Sequence, residues 1–336
     1  MKILLDVYGG DHSPDEFILG AKAALEAKSD LNLVLTGNEA EISAKLNEFG
    51  ADIPRVEIVH APDVVTNDDV PTDAIRNKKD SSMVRGFDLL NTREDICGMI
   101  TAGNTGAALT GATLKIGRLK GVRRPVLAPI IPTIKGGRFC LVDAGANVDC
   151  TPEFLTQFAI MGISYMQAIY GVENPRVALI SNGTEDKKGN ALAQESFKLL
   201  KQMPINFVGN MEASNALNGD FDVLVCDGFV GNVFLKSIEG CRKSLFALIK
   251  NTMMSSARAK IGALMLKPAL ENMKKTLGMD DVGAAAFLGC KKLVAKAHGN
   301  SKQKQIRAAI LQVEQMAKAG LVEKMGEQIL KLTATE

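Results

Sequence analysis

Short apolar runs rich in Val, Ile and Leu recur at 3–7, 32–36, 55–59, 96–101, 126–131, 138–143, 176–181 and 221–226. Amphipathic stretches at 14–28, 39–48, 104–117, 152–170 and 190–202 fall between several of them. The runs have strand length, and the stretches carry apolar residues at helical spacing. Their alternation predicts an α/β fold whose mainly parallel sheet is covered on both faces. From about 230 onward the pattern turns mainly helical, with 255–275 rich in Met, Leu, Ala and Lys. No repeat or low-complexity linker interrupts it.

The positions that follow the strands carry the chemistry. Asp6-Val7-Tyr8-Gly9-Gly10-Asp11-His12 follows the first run, and Ala102-Gly103-Asn104-Thr105-Gly106 follows the fourth. Asp143 to Asp149, Asn182 to Asn190 and Cys226 to Asn232 follow three others. In a parallel sheet such turns lie at the carboxyl edge, where open α/β folds bind ligands, so five glycine-and-asparagine turns are expected to converge on one cleft. A strand that feeds a glycine turn and then a helix presents free N–H groups, which favour an anion.

Composition narrows the reading. At 336 residues the chain accommodates one large α/β domain with appendages or two closely joined ones. A net charge of +2 argues against a dedicated nucleic-acid binder. Six scattered cysteines without a C-x-x-C pair suggest neither a zinc site nor a disulfide framework, and point to a reducing cytoplasm. The N-terminus lacks a signal-type apolar region, and no uncharged apolar run approaches the roughly 20 residues that span a bilayer.

The dinucleotide and P-loop glycine signatures are absent, as are a G-x-S-x-G elbow and H-E-x-x-H. Only His12, His60 and His298 could serve a nucleophilic triad, and no partner arrangement is identifiable. The turns instead supply backbone N–H groups, asparagine amides, the Thr105 hydroxyl and the Lys188 ammonium, which suit a phosphate or an oxyanion. Phosphate is itself a nucleophile, largely dianionic at neutral pH if its second pKa is about 6, as in phosphoesters. A thiol leaving group with a pKa of about 8.5 would need little acid assistance.

Seven ordered blocks resemble the motifs of the PlsX-type phosphate acyltransferases: "DVYGGDHSPDE", "PTDAIRNKKDSSMVRG", "TAGNTGAALTGAT", "DAGANVDCTPEFLTQFAIMG", "KKGNAL", "CDGFVGNVFLKSIEG" and "AHGNSK". The resemblance covers nearly the whole chain. It implies a Rossmann-like three-layer sandwich related to the isocitrate/isopropylmalate dehydrogenases, here as a single domain over 1–336 with a helical appendage at about 240–280. It further implies conversion of acyl-[acyl-carrier protein] and inorganic phosphate to acyl phosphate for bacterial phospholipid synthesis, without cofactor or metal. The implied protein is a cytoplasmic homodimer, loosely held at the inner face of the cell membrane, where a glycerol 3-phosphate acyltransferase would consume its product. A phosphate acetyl- or butyryltransferase acting on acyl-coenzyme A is the alternative. The chain departs from the family pattern at Val7-Tyr8, Gly183 to Lys187 and Leu288 to Lys292.

The site residues expected on this basis are Lys188 and Asn232 for catalysis. Gly103, Asn104, Thr105, Gly106, Asn147, Asp149 and His12 are expected to bind phosphate or the acyl group. Each has a plainer reading: Lys188 as a surface lysine beside Lys187, Asn232 as a helix cap, Asn147 and Asp149 as turn residues, and His12 as a loop closure. Asp6 is expected to hold the first glycine loop. Lys115, Arg118, Lys120, Arg123 and Arg124 form either a solvated face or a dock for an acidic carrier protein. In 255–270, Ile261, Leu264 and Met265 share a helical side that is either a core or dimer stripe or a membrane-contacting tip, and Pro268 is expected to bend or end that helix.

Overall fold

The chain builds two sheets rather than one. The computed structural model describes residues 1–50, 54–276, 278 and 283–333. Its first half alternates β1 (Lys2–Asp6), α1 (Asp15–Ala27), β2 (Asn32–Gly37), α2 (Glu39–Glu48), β3 (Val56–His60), α3 (Pro71–Asn77), α4 (Ser82–Thr92), β4 (Ile96–Thr101) and α5 (Thr105–Gly111). Next come β5 (Val126–Ala128), β6 (Ile130–Pro132), β7 (Arg138–Val142), α6 (Pro152–Tyr170), β8 (Val177–Ser181), α7 (Ala191–Gln202), β9 (Phe207–Glu212) and β10 (Val223–Val225). The chain closes with α8 (Gly228–Met253), α9 (Ala257–Thr276), β11 (Ala284–Leu288), β12 (Leu293–Ala297), α10 (Gln303–Lys318) and α11 (Leu321–Thr333).

The large sheet has the order β3-β2-β1-β4-β12-β11-β5 and the small one β6-β7-β10-β8-β9. Pairing is parallel except along both sides of β11 and between β6 and β7. The expected strand at 126–131 is two strands in different sheets, because Pro129 has no N–H to continue a ladder and the chain changes sheet there.

Both sheets are covered on both faces, as the apolar runs require. In the large sheet Ile3 and Leu5 pack with Phe17, Ile18 and Ile310 of α1 and α10, whereas Leu4 and Met99 face Val84 and Phe87 of α4. The small sheet sets Val142 and Val223 against Phe158 and Met161 of α6, and Leu141 and Leu224 towards Phe234 and Leu235 of α8. Each such side chain, fully buried, stabilises the fold by roughly 1.5–3 kcal/mol. Two apolar clusters each run through both sheets.

After residue 230 the chain is mainly helical, as its pattern predicts, but β11 and β12 also form a hairpin, and β12 inserts beside β4 in the centre of the large sheet. Pro268 neither ends nor breaks α9, which runs on to Thr276. The proline is solvent-exposed, so water can serve the backbone carbonyl that it leaves without a donor. α9 folds back on α8 to make a projecting arm, with Ile261, Leu264, Met265 and Leu266 all more than half exposed, which removes the core reading of that stripe within one chain.

Candidate active site

The post-strand turns gather in two groups, one at the carboxyl edge of each sheet, rather than along a single edge. On the large sheet the turns after β1 and β4 touch so closely that a side chain at Gly9, whose φ is +87°, would lie 2.8 Å from the Gly103 Cα. Only glycine allows that approach. A row of polar residues on neighbouring strands fixes both turns. Thr101 donates from Oγ1 to Asp6 at 2.7 Å and accepts from the Gly103 N–H at 3.1 Å, and Asp6 accepts from the Tyr8 N–H at 3.2 Å. Asp6 therefore holds the first glycine loop as expected.

Lys296, the register partner of Thr101 on β12, completes this row and was not singled out from the sequence. Its ammonium donates to the carbonyls of Ala102 at 3.0 Å and Ala297 at 2.6 Å. Burial lowers its pKa to about 8, helped by the Lys236 charge, and burial raises that of Asp6 to about 6. Both groups move towards neutrality, so desolvation outweighs their mutual attraction.

Asn104 is committed to structure. Its Oδ1 caps α5 by accepting from the Ala107 N–H at 3.0 Å, and its Nδ2 faces the carbonyls of Thr66, Asn67 and Asp69 at 3.3–3.4 Å. The N–H groups of Thr105 and Gly106 remain as this turn's donors, with Gly106 packed on Pro71. His12 is exposed, and its ring makes no hydrogen bond among the described residues; the loop is closed instead by the Asp11 N–H donating to the Gly299 carbonyl at 2.7 Å.

On the small sheet Asp143, at the end of β7, is buried and gathers its whole turn. It accepts from the N–H groups of Leu127 (2.9 Å), Gly145 (3.3 Å), Ala146 (3.1 Å) and Asn147 (2.6 Å), and from Asn147 Nδ2 (3.0 Å). Burial pushes its pKa up against the lowering by these donors. Asn147 also donates to the Pro125 carbonyl at 2.8 Å, and its own carbonyl receives the Gly228 N–H at 2.7 Å. Its side chain thus ties this turn to the segment before β5, while its backbone carbonyl makes the joint with the start of α8. Asp149 is exposed.

α8 starts earlier than a cap at Asn232 would require. Asp227 is the cap, accepting from the Val230 N–H at 2.9 Å, which leaves Asn232 in the first turns of the helix. The helix seats on the β7 turn through Gly231, where a Cβ would lie 1.9 Å from the Asp143 carbonyl oxygen. Asn232 stands against Gly145, exposed, its amide unbonded among the described residues. Lys188 lies in the turn between β8 and α7, which Asn182 closes by accepting the Gly189 N–H at 2.9 Å and Asn190 caps at Ala193, also 2.9 Å. The lysine stem lies on Gly183, and its exposed ammonium forms no ion pair among the described residues.

Residues of the β8 and β10 turns meet around one cavity of about 380 Å³. α8 leads from this edge towards the other, where Lys236 Nζ lies 3.4 Å from His298 Nε2. In the basic run, Lys115 pairs with Asp88 at 2.8 Å, Arg118 donates to the Arg123 carbonyl and Arg124 covers the Phe154 ring, while Lys120 is exposed. A protein thiol is poorly suited to act as nucleophile here, since burial raises Cys150 to about 12 and Cys226 well above the ordinary thiol range.

The model of the family described as "Fatty acid synthesis protein" matches residues 1–324. The "Phosphate acyltransferase" of Clostridium acetobutylicum is 43% identical over 332 residues, 99% of this chain and 100% of its own. That of Bacillus licheniformis is 44% identical over 330 residues, 98% of each chain. Among solved structures, the EutD phosphotransacetylase from Staphylococcus aureus superposes with a TM-score of 0.59 over 95% of this chain and 94% of its own at 15% identity, a likeness of fold.

Proposed function

The chain belongs to the PlsX-type family of phosphate acyltransferases and is an acyltransferase, and we propose that it moves a fatty acyl group from acyl-[acyl-carrier protein] to inorganic phosphate. One observation carries the residue roles: Lys188 and Asn232 are exposed polar groups whose side chains have no hydrogen-bond partner among the described residues, beside turns whose other polar side chains are largely spent on the fold.

In this reading a phosphate oxygen attacks the thioester carbonyl. The new C–O bond forms, the C–S bond breaks, and the thiolate of the carrier's prosthetic arm leaves. The Lys188 ammonium and the Asn232 amide stabilise the tetrahedral oxyanion, an effect that grows only as charge develops on that oxygen. The N–H groups of Thr105 and Gly106, with the His12 ring and Asp149 at the margins, bind the reacting ends. Asn104 and Asn147 serve by holding their turns. No acyl-enzyme is formed, consistent with the high thiol pKa values.

Incubation with long-chain acyl-carrier protein and phosphate, followed by hydroxylamine trapping of acyl phosphate, tests the reaction. Undiminished loss of acyl groups without phosphate would reveal simple hydrolysis, and inhibition by a chelator would reveal a required metal. Faster turnover of short acyl-coenzyme A than of the carrier-bound substrate would establish the second reading, a phosphate acetyl- or butyryltransferase, which the fold likeness to a phosphotransacetylase favours.

Three features extend the proposal. Lys120 and its basic neighbours dock the acidic carrier protein. The apolar tip of α9, set among Lys260 and Lys267, rests on anionic lipid at the inner face of the cytoplasmic membrane, near a glycerol 3-phosphate acyltransferase that consumes the labile product. Exposed apolar side chains of α8, among them Leu245 and Leu248, support a homodimer. Among the described residues no helix is long and apolar enough to cross a membrane.

A further inference from the structure

The cavity at the small-sheet edge differs in chemistry from the turns that rim it. Its walls are apolar, with Leu155 from α6, Leu179 from β8, Leu192 and Ala193 from α7, and Val230 from α8. Among the described residues its one charged lining residue is Asp227, a carboxylate engaged at the head of α8. An anion such as phosphate would meet that charge without a compensating cation in the lining. An uncharged, apolar group would meet a wall that is mostly apolar.

We propose that this cavity receives the hydrocarbon chain of the acyl donor and so measures its length. The assignment rests on the acyl-transfer reading of the turns around it. Connectivity supports it: Gly189 and Asn190 line the cavity directly after Lys188, and Asp227 and Val230 line it on the first turn of the helix that carries Asn232. The cavity therefore adjoins the chain segments that carry the groups assigned to the oxyanion, although neither of those side chains lines it. Ser181, at the end of β8, also lines the space, and its hydroxyl has no partner among the described residues.

Size sets the expected preference. A water molecule occupies about 30 Å³ of liquid and a methylene is of similar bulk, so 380 Å³ holds about a dozen methylene-sized groups. The volume lies in the usual range for sites that enclose small ligands, roughly 300–1,000 Å³. A short acyl group would leave most of the apolar wall without contacts, so the cavity selects medium to long chains.

The test varies the wall and the chain together. Ala213, an exposed residue at the mouth after β9, and Leu192 are both remote from the proposed chemistry by role. Ala213→Leu narrows the cavity, and Leu192→Ala widens it. Rates would be measured with butyryl, octanoyl, dodecanoyl and hexadecanoyl donors on the carrier protein, with circular dichroism confirming folding. Ala213→Leu is expected to lower kcat/KM about 10-fold or more for the two longest donors while leaving butyryl transfer nearly unchanged, since a single methylene misfit in an apolar pocket changes specificity by ~10–200-fold. Leu192→Ala is expected to move the optimum towards longer chains. Chain-length profiles that superpose on the native one, or losses equal for every donor, would overturn the assignment. Calorimetric titration with dodecanol, which cannot react, separates the two readings: binding that weakens in Ala213→Leu supports the cavity even if no donor turns over, and binding unaffected by either substitution overturns it even if acyl phosphate is made.

Discussion

The two sheet edges present the same kind of sequence, glycine and asparagine after a parallel strand, yet they use it differently. At the large edge Asp6, Thr101, Asn104 and Lys296 spend their polar atoms on one another and on backbone, so side chains serve to shape a loop. At the small edge one buried residue, Asp143, does most of that work, and Lys188 and Asn232 are left facing solvent. A polar residue in a turn is thus informative about chemistry only once the partners of its neighbours are known.

The largest test of this contrast is to remove the unbonded groups. Lys188→Ala and Asn232→Ala should each lower turnover by ~10²–10³ with thermal unfolding unchanged, because neither side chain is bonded into the fold. Native rates in both would move the site to the large edge. Asp143→Asn should reverse the pattern: it puts an amide where a carboxylate now accepts several N–H groups, and costs about 1–3 kcal/mol in denaturant titration. Asn104→Ala loses a helix cap worth about 1 kcal/mol, with a smaller rate loss than Lys188→Ala because backbone donors stay in place.

A pH titration sharpens the same comparison. Asp6 titrates near 6 in the fold against an ordinary 3.8, so the native chain keeps a proton that the unfolded chain has released, and stability from this residue is lost as pH rises through that window. Lys296 titrates near 8 against 10.5, so the native chain releases its proton first and stability is gained as pH rises from about 8. Lys296→Met should flatten the alkaline arm of a plot of unfolding midpoint against pH and, by removing a charge that lowers the Asp6 pKa, carry the acid arm to higher pH. The smallest effect on catalysis belongs to the arm: Leu264→Glu with Leu266→Glu should abolish flotation with anionic vesicles while leaving the solution rate and the dimer intact. Loss of the dimer on size-exclusion chromatography would assign the stripe to a subunit contact.

The strands of the first half, most of the helices and all five turns were legible because each rests on local periodicity. What was missed depends on partners far along the chain. Ala284, Ala285 and Ala286 have little strand propensity, and only pairing with β12 and β5 makes them a strand. β9 was hidden by Gly209 and Asn210 in an otherwise short apolar run. Lys296 looks like a surface lysine until the carbonyl of Ala102, 194 residues away in sequence, is placed against it. The change of sheet at Pro129 could not be read either, since six residues of continuous apolar strand fit one sheet as well as two.

Pro129 also has a mechanical meaning. It is the whole connection between β5 and β6, its ring restrains φ to about −65°, and its carbonyl is tied to the Leu141 N–H at 3.1 Å. After β10 the chain runs through α8 and α9 before it rejoins the large sheet at β11. The junction is also bonded beside this one-residue pin, where the Asp143 carboxylate accepts from the Leu127 N–H at 2.9 Å and the Ala144 N–H donates back to the Leu127 carbonyl at 2.9 Å. The two sheet edges are therefore riveted at a set separation, and a turn built on one edge is held in register with the other.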